Sequence, residues 1–318
     1  HATKLCNLAR NSLWCWIAQF SGVNERAIIL LPNAETVYEV PLTIAHSGIN
    51  DVLNAFTGDD SEPDLSKWET IVEAQQRSYD QTVRIGMVAK YMDNEDTYIS
   101  VLEALKSAAW QEGVGLETVW ISAEDAKDED FASVDALLVP GGFGARGIEG
   151  KIAAARYALD HNVPYLGLCL GLQVAVIAST RKAGLEDANS TEFNADTAHD
   201  VVYIMEGQEG QESTGGTLRL GDYSATLVEG SKVAQAYGDT QTIERHRHRY
   251  EVNQQYLEDI ERGGLKVTGA SPDGRLVEYV EAPGNPYFVA TQAHPEFKSR
   301  PNRAHPLFVG LIKAATRS

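Results

Sequence analysis

The stretch Gly167-Leu168-Cys169-Leu170-Gly171 decides the fold, because an apolar run ends there and a helical pattern begins. Glycines around a cysteine at such a junction predict a sharp turn in which a nucleophile takes a strained backbone conformation. The thiol then lies at a helix N-terminus, where backbone N–H groups and the helix dipole favour the thiolate. The alternative is a buried structural cysteine, since free cysteine is often buried. The catalytic interpretation therefore needs partner residues elsewhere in the chain.

Strand and helix patterns alternate on both sides of this turn. Such alternation predicts right-handed crossovers and an α/β fold with a mostly parallel central sheet. After about Val201 shorter β-type runs dominate. The predicted strands are Val83–Val88, Leu116–Ile121, Ala136–Val139 and Val163–Leu166, and the predicted helices are Ile99–Trp110, Ile152–Leu159, Leu172–Arg181 and Leu307–Ala315.

Composition limits the function classes. The 318 residues carry a net charge of −18, which argues against nucleic acid or an anionic membrane surface as partner. The apolar run Leu13–Ala18 is far shorter than the roughly 20 residues of a membrane span. Three cysteines are too few for a disulfide framework, so we expect a reducing, cytoplasmic location.

A glycine-rich turn, Gly141–Gly147, follows the strand that ends near Val139. It contains G-x-G-x-x-G, the fingerprint of dinucleotide-binding folds. No acidic residue follows about 20 positions later, where those folds bind ribose. We therefore favour another use, in which the N–H groups of Gly142 and Leu170 form an oxyanion hole. Dinucleotide binding is the alternative.

The candidate base lies far downstream, in Phe288–Phe297. We expect a strand whose end carries His294 and Glu296, with side chains on the same face because they are two residues apart. Pro295 restrains the backbone between them. Glu296 would then orient and stabilise the imidazole while His294 faces a nucleophile. A simple strand-end turn is the alternative for this segment taken alone.

A basic segment, Glu244–Val252, is the third candidate element. If extended, it places Arg245, Arg247 and Arg249 on one face and His246, His248 and Tyr250 on the other. An arginine that grips a substrate carboxylate is the favoured functional interpretation. A metal site built from the alternating histidines, or a solvated basic strand paired with the protein's own carboxylates, are the alternatives.

Taken together, Pro140–Gly144, Gly167–Gln173 and His294–Glu296 resemble the class I glutamine amidotransferase domain, which has a Cys-His-Glu triad in this order. Asn189–Phe193, Gly215–Gly221 and Glu244–Asn253 are similar to segments typical of the CTP synthase family. The resemblance implies a three-layer α/β amidotransferase domain over residues 76–318. Residues 1–75 would be the incomplete C-terminal end of an amidoligase domain, of which residues 1–16 depart from the family pattern.

The resemblance also implies residue roles. Cys169, His294 and Glu296 would be catalytic, and Gly142, Leu170, Gly171, Leu172, Gln173, Glu192 and Arg249 would bind L-glutamine. Pro32, Asn33 and Ala34 resemble part of the family's ATP site. Glutamine hydrolysis would need no cofactor and no metal in this chain.

The full-length enzyme that the resemblance implies is a homotetramer that aminates UTP to CTP with ATP and Mg²⁺, activated by GTP. This chain would be competent only for the glutaminase half-reaction. A glutaminase domain of another synthetase and a non-catalytic regulatory module are the remaining alternatives.

Overall fold

A computed structural model describes residues 13–90, 95–204 and 218–317 of the chain. The chain forms two compact units that divide between Arg77 and Ser78. Of the segments that carry the family resemblance, residues 215–217 lie outside the described residues, as do residues 1–12 of the divergent start. Within the described ranges, no helix has the length and apolar character needed to cross a membrane.

The first unit is helical. Residues 13–21 are helical, and three further helices follow: α1 (Val40–Ala45), α2 (Ile49–Thr57) and α3 (Ser66–Gln76), with 3-10 turns at Glu25–Ala27 and Val37–Glu39. Gly58 ends α2 in the left-handed region with φ 73°, a conformation that glycine adopts without steric cost. The assignment of this unit to an amidoligase domain remains a prediction.

The second unit alternates strands and helices up to α7, as the sequence predicts. Its helices are α4 (Ile99–Glu112), α5 (Asp128–Ala132), α6 (Ile148–His161), α7 (Leu170–Lys182), α8 (Lys232–Tyr237), α9 (Leu257–Arg262) and α10 (Pro306–Ala315). Its strands are β1 (Thr82–Ala89), β2 (Gly115–Ser122), β3 (Ala136–Val139), β4 (Tyr165–Leu168), β5 (Asn189–Ser190), β6 (Asp200–Ile204), β7 (Arg219–Leu227), β8 (Gln241–His248), β9 (Tyr250–Val252), β10 (Lys266–Ala270), β11 (Val277–Glu281) and β12 (Phe288–Thr291).

The central sheet has nine strands in the order β2-β1-β3-β4-β12-β11-β10-β7-β8. The strands from β2 to β12 in this order run parallel, and the pairs from β12 to β8 are antiparallel. A separate three-stranded sheet has the order β5-β6-β9. The α/β fold class is confirmed, and the shorter β-type runs after Val201 form the antiparallel half and this second sheet.

Helices cover both faces of the sheet, which gives three layers. Neighbouring buried side chains of β3 show the division: Leu137 packs in the core that includes α6 and α7, and Leu138 packs in the core that includes α4 and α10. This alternation is the two-residue period of a strand with both faces buried. The parallel half is therefore held between two helical layers.

Two predictions at the elbow and at the base differ from the structure. β4 begins two residues later than predicted and includes Gly167 and Leu168, because its register is set by pairing with β3 and β12. The prediction that His294 and Glu296 lie on one extended strand is wrong. β12 ends at Thr291, and Pro295–Phe297 form a 3-10 turn with Pro295 at its first position. Proline is favoured there because its fixed φ suits the first helical residue.

Candidate active site

Cys169 lies in the strained turn between β4 and α7. Its φ of 52° and ψ of −100° are unusual for a residue with a side chain. The Cys169 N–H donates to the carbonyl oxygen of Thr291 at 2.8 Å, which ties the turn to the end of β12. Leu170 begins α7, and Cys169 is almost completely buried. The local geometry agrees with the predicted nucleophile elbow.

The glycines around the elbow allow the backbones to approach closely. A Cβ added to Gly171 would lie 2.3 Å from the carbonyl oxygen of Val139, and one on Gly167 would lie 2.6 Å from the carbonyl oxygen of Gly171. Both distances are shorter than real Cβ contacts. The first turn of α7 therefore packs directly on the ends of β3 and β4, as the two-glycine pattern predicts.

His294 and Glu296 form a close pair although they do not share a strand. The 3-10 turn brings Nδ1 of His294 within 2.7 Å of Oε1 of Glu296. Burial lowers the pKa of His294, but the charge and hydrogen bond of Cys169, followed by those of Glu296, raise this pKa well above its ordinary value. A cationic imidazole between a thiolate and a carboxylate is the arrangement that this pKa favours.

Gly141 shows how closely the nucleophile and base approach. A Cβ added to Gly141 would lie 2.7 Å from Cε1 of His294 and 3.5 Å from Cβ of Cys169. The backbone N–H of His294 donates to the carbonyl oxygen of Arg245 at 2.7 Å, which fixes the backbone of the base against β8. The structure therefore brings Cys169 and the His294–Glu296 pair together beside the glycine-rich turn.

Two glutamine side chains next to the thiol extend the site. Gln292 places its Nε2 atom 3.7 Å from Sγ of Cys169. The Nε2 atom of Gln173 donates to Oε1 of Gln292 at 3.3 Å and to the carbonyl oxygen of Tyr250 at 3.2 Å. Gln173 is a residue that the resemblance assigns to glutamine binding. Its buried amide N–H groups are engaged with protein acceptors, so this side chain positions the segment next to Arg249.

Glu192, one of the predicted glutamine-binding residues, lies beside the glycine-rich turn, and Arg249 acts on it electrostatically. Oε1 of Glu192 accepts a hydrogen bond from the Gly144 N–H at 2.7 Å. Burial raises the pKa of Glu192, and the Gly144 hydrogen bond and the charges of Lys90 and Arg249 act in the opposite direction. Arg249 lies between β8 and β9, at the point where the chain passes from the nine-stranded to the three-stranded sheet.

The remaining predicted glutamine-binding residues can contact a ligand only through backbone groups. A Cβ on Gly142 would lie 3.4 Å from Cδ2 of Leu170, so the two predicted oxyanion donors belong to adjoining segments. The side chains of Leu170 and Leu172 pack in the hydrophobic core. With Gly171 they present only backbone groups to a ligand, and the N–H groups of a first helical turn have no partner within the helix.

The basic segment contributes a buried cluster that sequence reasoning did not predict. Arg219 donates to Glu278 at 2.6 Å and to Glu251 at 3.4 Å. Nδ1 of His246 lies 2.9 Å from Nε2 of His248, whose Nδ1 lies 3.2 Å from the carbonyl oxygen of Tyr250. We call Arg219, His246, His248, Glu251 and Glu278 the buried ionic cluster. All five side chains are almost inaccessible to solvent.

Burial sets the protonation of this cluster. Burial, followed by the Arg219 charge, lowers the pKa of His246 to about 3. Burial raises the pKa of Glu251 to about 8 against the opposing charge of Arg219. The histidines are thus neutral and bonded to each other. Among the described residues, no group of three or more His, Cys, Asp or Glu side chains is placed to hold a metal ion.

The predicted ATP residues lie in the first unit, away from any cationic lining. Pro32 borders a cavity of about 740 Å³ whose other described walls include Trp14, Leu42 and Val72. The titratable side chains among its lining residues are Glu39 and His46. Bound phosphates require cations or clustered N–H groups. The lining residues therefore do not fit a triphosphate by themselves.

Two of the residues that sequence reasoning missed had usable signals. Lys151 follows Ile148 by three positions and precedes Ile152 and Ala155, so the helical period places a lysine on an apolar face. Gln292 precedes His294 by two positions at the end of a strand. The buried ionic cluster had no comparable signal, since its members come from four different strands.

Comparison with known proteins identifies the family of this site. The glutamine amidotransferase class-I family model matches residues 94–314. The chain therefore belongs to the class I glutamine amidotransferase family.

Its relatives within this family include CTP synthases. It is 49% identical over 304 residues to the CTP synthase of Thermomicrobium roseum, covering 94% of this chain and 55% of that protein. The CTP synthase of Methanothermobacter thermautotrophicus is 47% identical over 302 residues, with 94% and 56% covered. The chain thus spans about half the length of these relatives.

A solved structure supports the same match. The glutaminase domain of Trypanosoma brucei CTPS with bound acivicin is 38% identical, with a TM-score of 0.70. The match covers 74% of this chain and 94% of that chain. The class I amidotransferase fold of the second unit is confirmed.

Proposed function

We propose that this chain hydrolyses L-glutamine, with Cys169 as nucleophile, His294 as acid and base, and Glu296 as the group that orients His294. The close approach of both Cys169 and His294 to Gly141 carries this proposal. The family membership and the likeness to a CTPS glutaminase domain support the reaction class. The strained elbow supports the choice of nucleophile.

The reaction follows from these positions. The Cys169 thiolate attacks the side-chain carbonyl carbon of glutamine and forms an S–C bond. The N–H groups of Gly142 and Leu170 stabilise the resulting oxyanion. His294 donates its proton to the leaving nitrogen, and ammonia departs as the C–N bond breaks. Water, deprotonated by His294, then hydrolyses the thioester and releases glutamate and the free thiol.

Recognition of glutamine needs an anionic group near its α-ammonium and a cationic group near its α-carboxylate. Glu192 suits the α-ammonium, and its acceptance of the Gly144 N–H holds it beside the glycine-rich turn. Arg249 suits the α-carboxylate because a guanidinium can donate two parallel hydrogen bonds. The electrostatic effect of Arg249 on Glu192 supports their placement around one small ligand.

In the longer protein, we propose that the released ammonia aminates UTP to CTP in a synthetase domain. There, ATP and Mg²⁺ would activate UTP, and GTP would stimulate glutamine hydrolysis. The assembly would be a cytoplasmic homotetramer. Pro32, Asn33 and Ala34 would contribute to the ATP site only together with parts of that domain, because the cavity that Pro32 borders has no lysine or arginine among its described lining residues.

Two other functions are distinguishable. A glutaminase of another synthetase would also hydrolyse glutamine, but the longer protein would then not form CTP from UTP. A non-catalytic regulatory module would bind glutamine or nothing, without releasing ammonia. The raised pKa of His294 beside the elbow favours a working thiolate–imidazolium pair over a silent site.

The first test replaces the nucleophile and measures ammonia release from L-glutamine. Cys169→Ala should lower release by about 10³-fold or more, because the thioester intermediate cannot form without the thiol. Cys15→Ala is the matched control, since Cys15 is an exposed free cysteine and its loss should leave the rate unchanged. Hydrolysis by Cys169→Ala at the unmodified rate would contradict the proposal. CTP formation by the longer protein tests the synthetase partner.

A further inference from the structure

Lys151 is a fully buried lysine directly behind the glycine-rich turn. It lies on α6 at the apolar spacing described above, with 0% of its side chain exposed. Its Nζ atom donates to the carbonyl oxygen of Pro140 at 3.3 Å. Lysine is almost never fully buried unless its charge has a partner. No carboxylate is paired with Lys151 among the ion pairs of the described residues.

The Lys151 ammonium lies near the predicted oxyanion hole. A Cβ added to Gly142 would lie 3.8 Å from Nζ of Lys151, on the segment that also contains Pro140. Gly141, between these two residues, approaches both Cys169 and His294. The lysine therefore contacts the same Pro140–Gly142 segment that approaches the nucleophile and the base.

Electrostatics couples this lysine to the nucleophile. Burial lowers the pKa of Lys151 to about 7, and the nearby Lys90 charge lowers it as well. The negative charge of Cys169 has the opposite effect and favours the protonated amine. Coupling between two sites is reciprocal, so a protonated Lys151 must favour the Cys169 thiolate. The other groups acting on the thiolate are the His294 imidazole and the Gln292 amide.

We propose that Lys151 is a positioning residue that stabilises negative charge on Cys169 and on the oxyanion from behind the Pro140–Gly142 turn. The oxyanion part rests on the proposed glutaminase function, whereas the thiolate part does not. Because Lys151 contacts neither the thiol nor the oxyanion directly, its effect is electrostatic and acts through the turn. A buried amine without a carboxylate partner costs stability, and the proposed effect on charge gives this costly group a use.

A purely structural role makes different predictions. If Lys151 only holds Pro140 through a hydrogen bond, a neutral donor of similar length should replace it. If the charge matters, a neutral donor and an apolar side chain should have the same effect on the thiol. Lys151→Gln keeps a hydrogen-bond donor but removes the charge. Lys151→Met keeps a side chain of similar volume but removes both the donor and the charge. The pair separates the two roles.

The experiment measures the pH dependence of alkylation of Cys169 by iodoacetamide. The background is Cys6→Ala/Cys15→Ala, which leaves Cys169 as the one cysteine of the three in the chain. We expect both Lys151 variants to raise the apparent thiol pKa by about one unit, equivalent to an about tenfold slower reaction below that pKa. Thermal unfolding, in the same buffers, should show neither variant to be less stable than the background protein.

Each outcome decides the proposal. A raised thiol pKa in both variants supports it. An unchanged profile in both, or a profile restored by Lys151→Gln and not by Lys151→Met, overturns it. Ammonia release is measured in parallel, where we expect a roughly tenfold lower kcat with KM little changed. Since alkylation requires no glutamine, a failed glutaminase assay in the background protein would refute the proposed function and leave the alkylation result valid.

Discussion

The two halves of the central sheet build the candidate site in different ways. In the parallel half, Cys169 is positioned by backbone contacts, with Gly171 packed against Val139 and the Cys169 N–H bonded to Thr291. In the antiparallel half, β8 holds the His294 backbone through Arg245, and β7, β8 and β11 supply all of the buried ionic cluster except Glu251, which comes from β9 of the smaller sheet. One half uses close packing of small residues, and the other uses buried charge.

This difference predicts how each half responds to change. Adding a side chain at a close glycine contact should destabilise the fold equally at every pH, because the new methyl group clashes with backbone atoms that do not titrate. A buried charge cluster fails when one partner is removed, and the size of the failure depends on pH because the remaining groups can change protonation. The following substitutions test this contrast in the order of the expected effect.

Arg219→Met should have the largest effect on stability. Removing the guanidinium leaves Glu251 and Glu278 buried without their cationic partner, a change that costs about 3–5 kcal/mol of unfolding free energy. Loss of Arg219 raises the pKa of both carboxyls in the folded state, so the folded protein binds more protons than the unfolded chain. The defect should therefore be smaller near pH 5 than near pH 8.

Urea unfolding at several pH values measures this defect. Arg156→Met is the matched control, because Arg156 pairs with Asp160 on the exposed surface of α6 and its loss should cost about 0.5 kcal/mol or less. Equal, pH-independent losses in the two variants would show that the buried ionic cluster is no more important than a surface pair.

Gly171→Ala should have the next largest effect, and it tests the parallel half. The added methyl group would lie 2.3 Å from the Val139 carbonyl oxygen, so strand or helix must move. We expect a loss of about 3 kcal/mol that does not change with pH, together with loss of glutaminase activity as the elbow shifts. Gly284→Ala is the control, since a Cβ there meets nothing within 4 Å.

The unfolding free energy and ammonia release of both glycine variants are the measurements. A stable, active Gly171→Ala protein would show that the elbow tolerates a wider separation of α7 from β3, which would remove the basis of the contrast.

The parallel half was predictable because its signals are local. Alternating strand and helix patterns, and a cysteine between glycines, specify a turn whose geometry depends on neighbours within a few residues. His294 and Glu296 were correctly paired by sequence spacing, but for the wrong reason. Their proximity comes from the 3-10 turn that begins at Pro295, not from a shared strand face.

The antiparallel half was less predictable because its contacts are long-range. Alternation along β8 correctly placed Arg245 and Arg247 on one face and His246 and His248 on the other, and the structure shows that the histidine face is the buried one. The pattern within β8 could not show that Arg219 on β7 and Glu278 on β11 lie close to those histidines in the folded protein. It also missed the break at Arg249, where the chain changes sheets.

At pH 5, Glu251→Gln should have the smallest effect of these substitutions, because a neutral amide then replaces a protonated carboxyl. The variant tests the pH dependence of the buried ionic cluster directly. The pKa of Glu251 is about 8 in the folded protein against an ordinary value near 4.5, because burial opposes its ionisation. Between these values the folded protein holds a proton that the unfolded chain has lost. The contribution of Glu251 to stability is therefore fully present below about pH 4.5 and is lost as pH rises toward 8.

His246 has the opposite dependence at lower pH, since its pKa of about 3 makes stability rise between about pH 3 and 6.5. Subtracting the unfolding free energy of the Glu251→Gln variant from that of the unmodified chain cancels this contribution and that of Lys151. The difference should fall between pH 5 and 8, by no more than about 1.4 kcal/mol per pH unit, and level off above. A difference in unfolding free energy that does not change with pH would show that Glu251 is ionised beside Arg219 at every pH tested. The buried ionic cluster would then hold a conventional ion pair and not a protonated carboxyl.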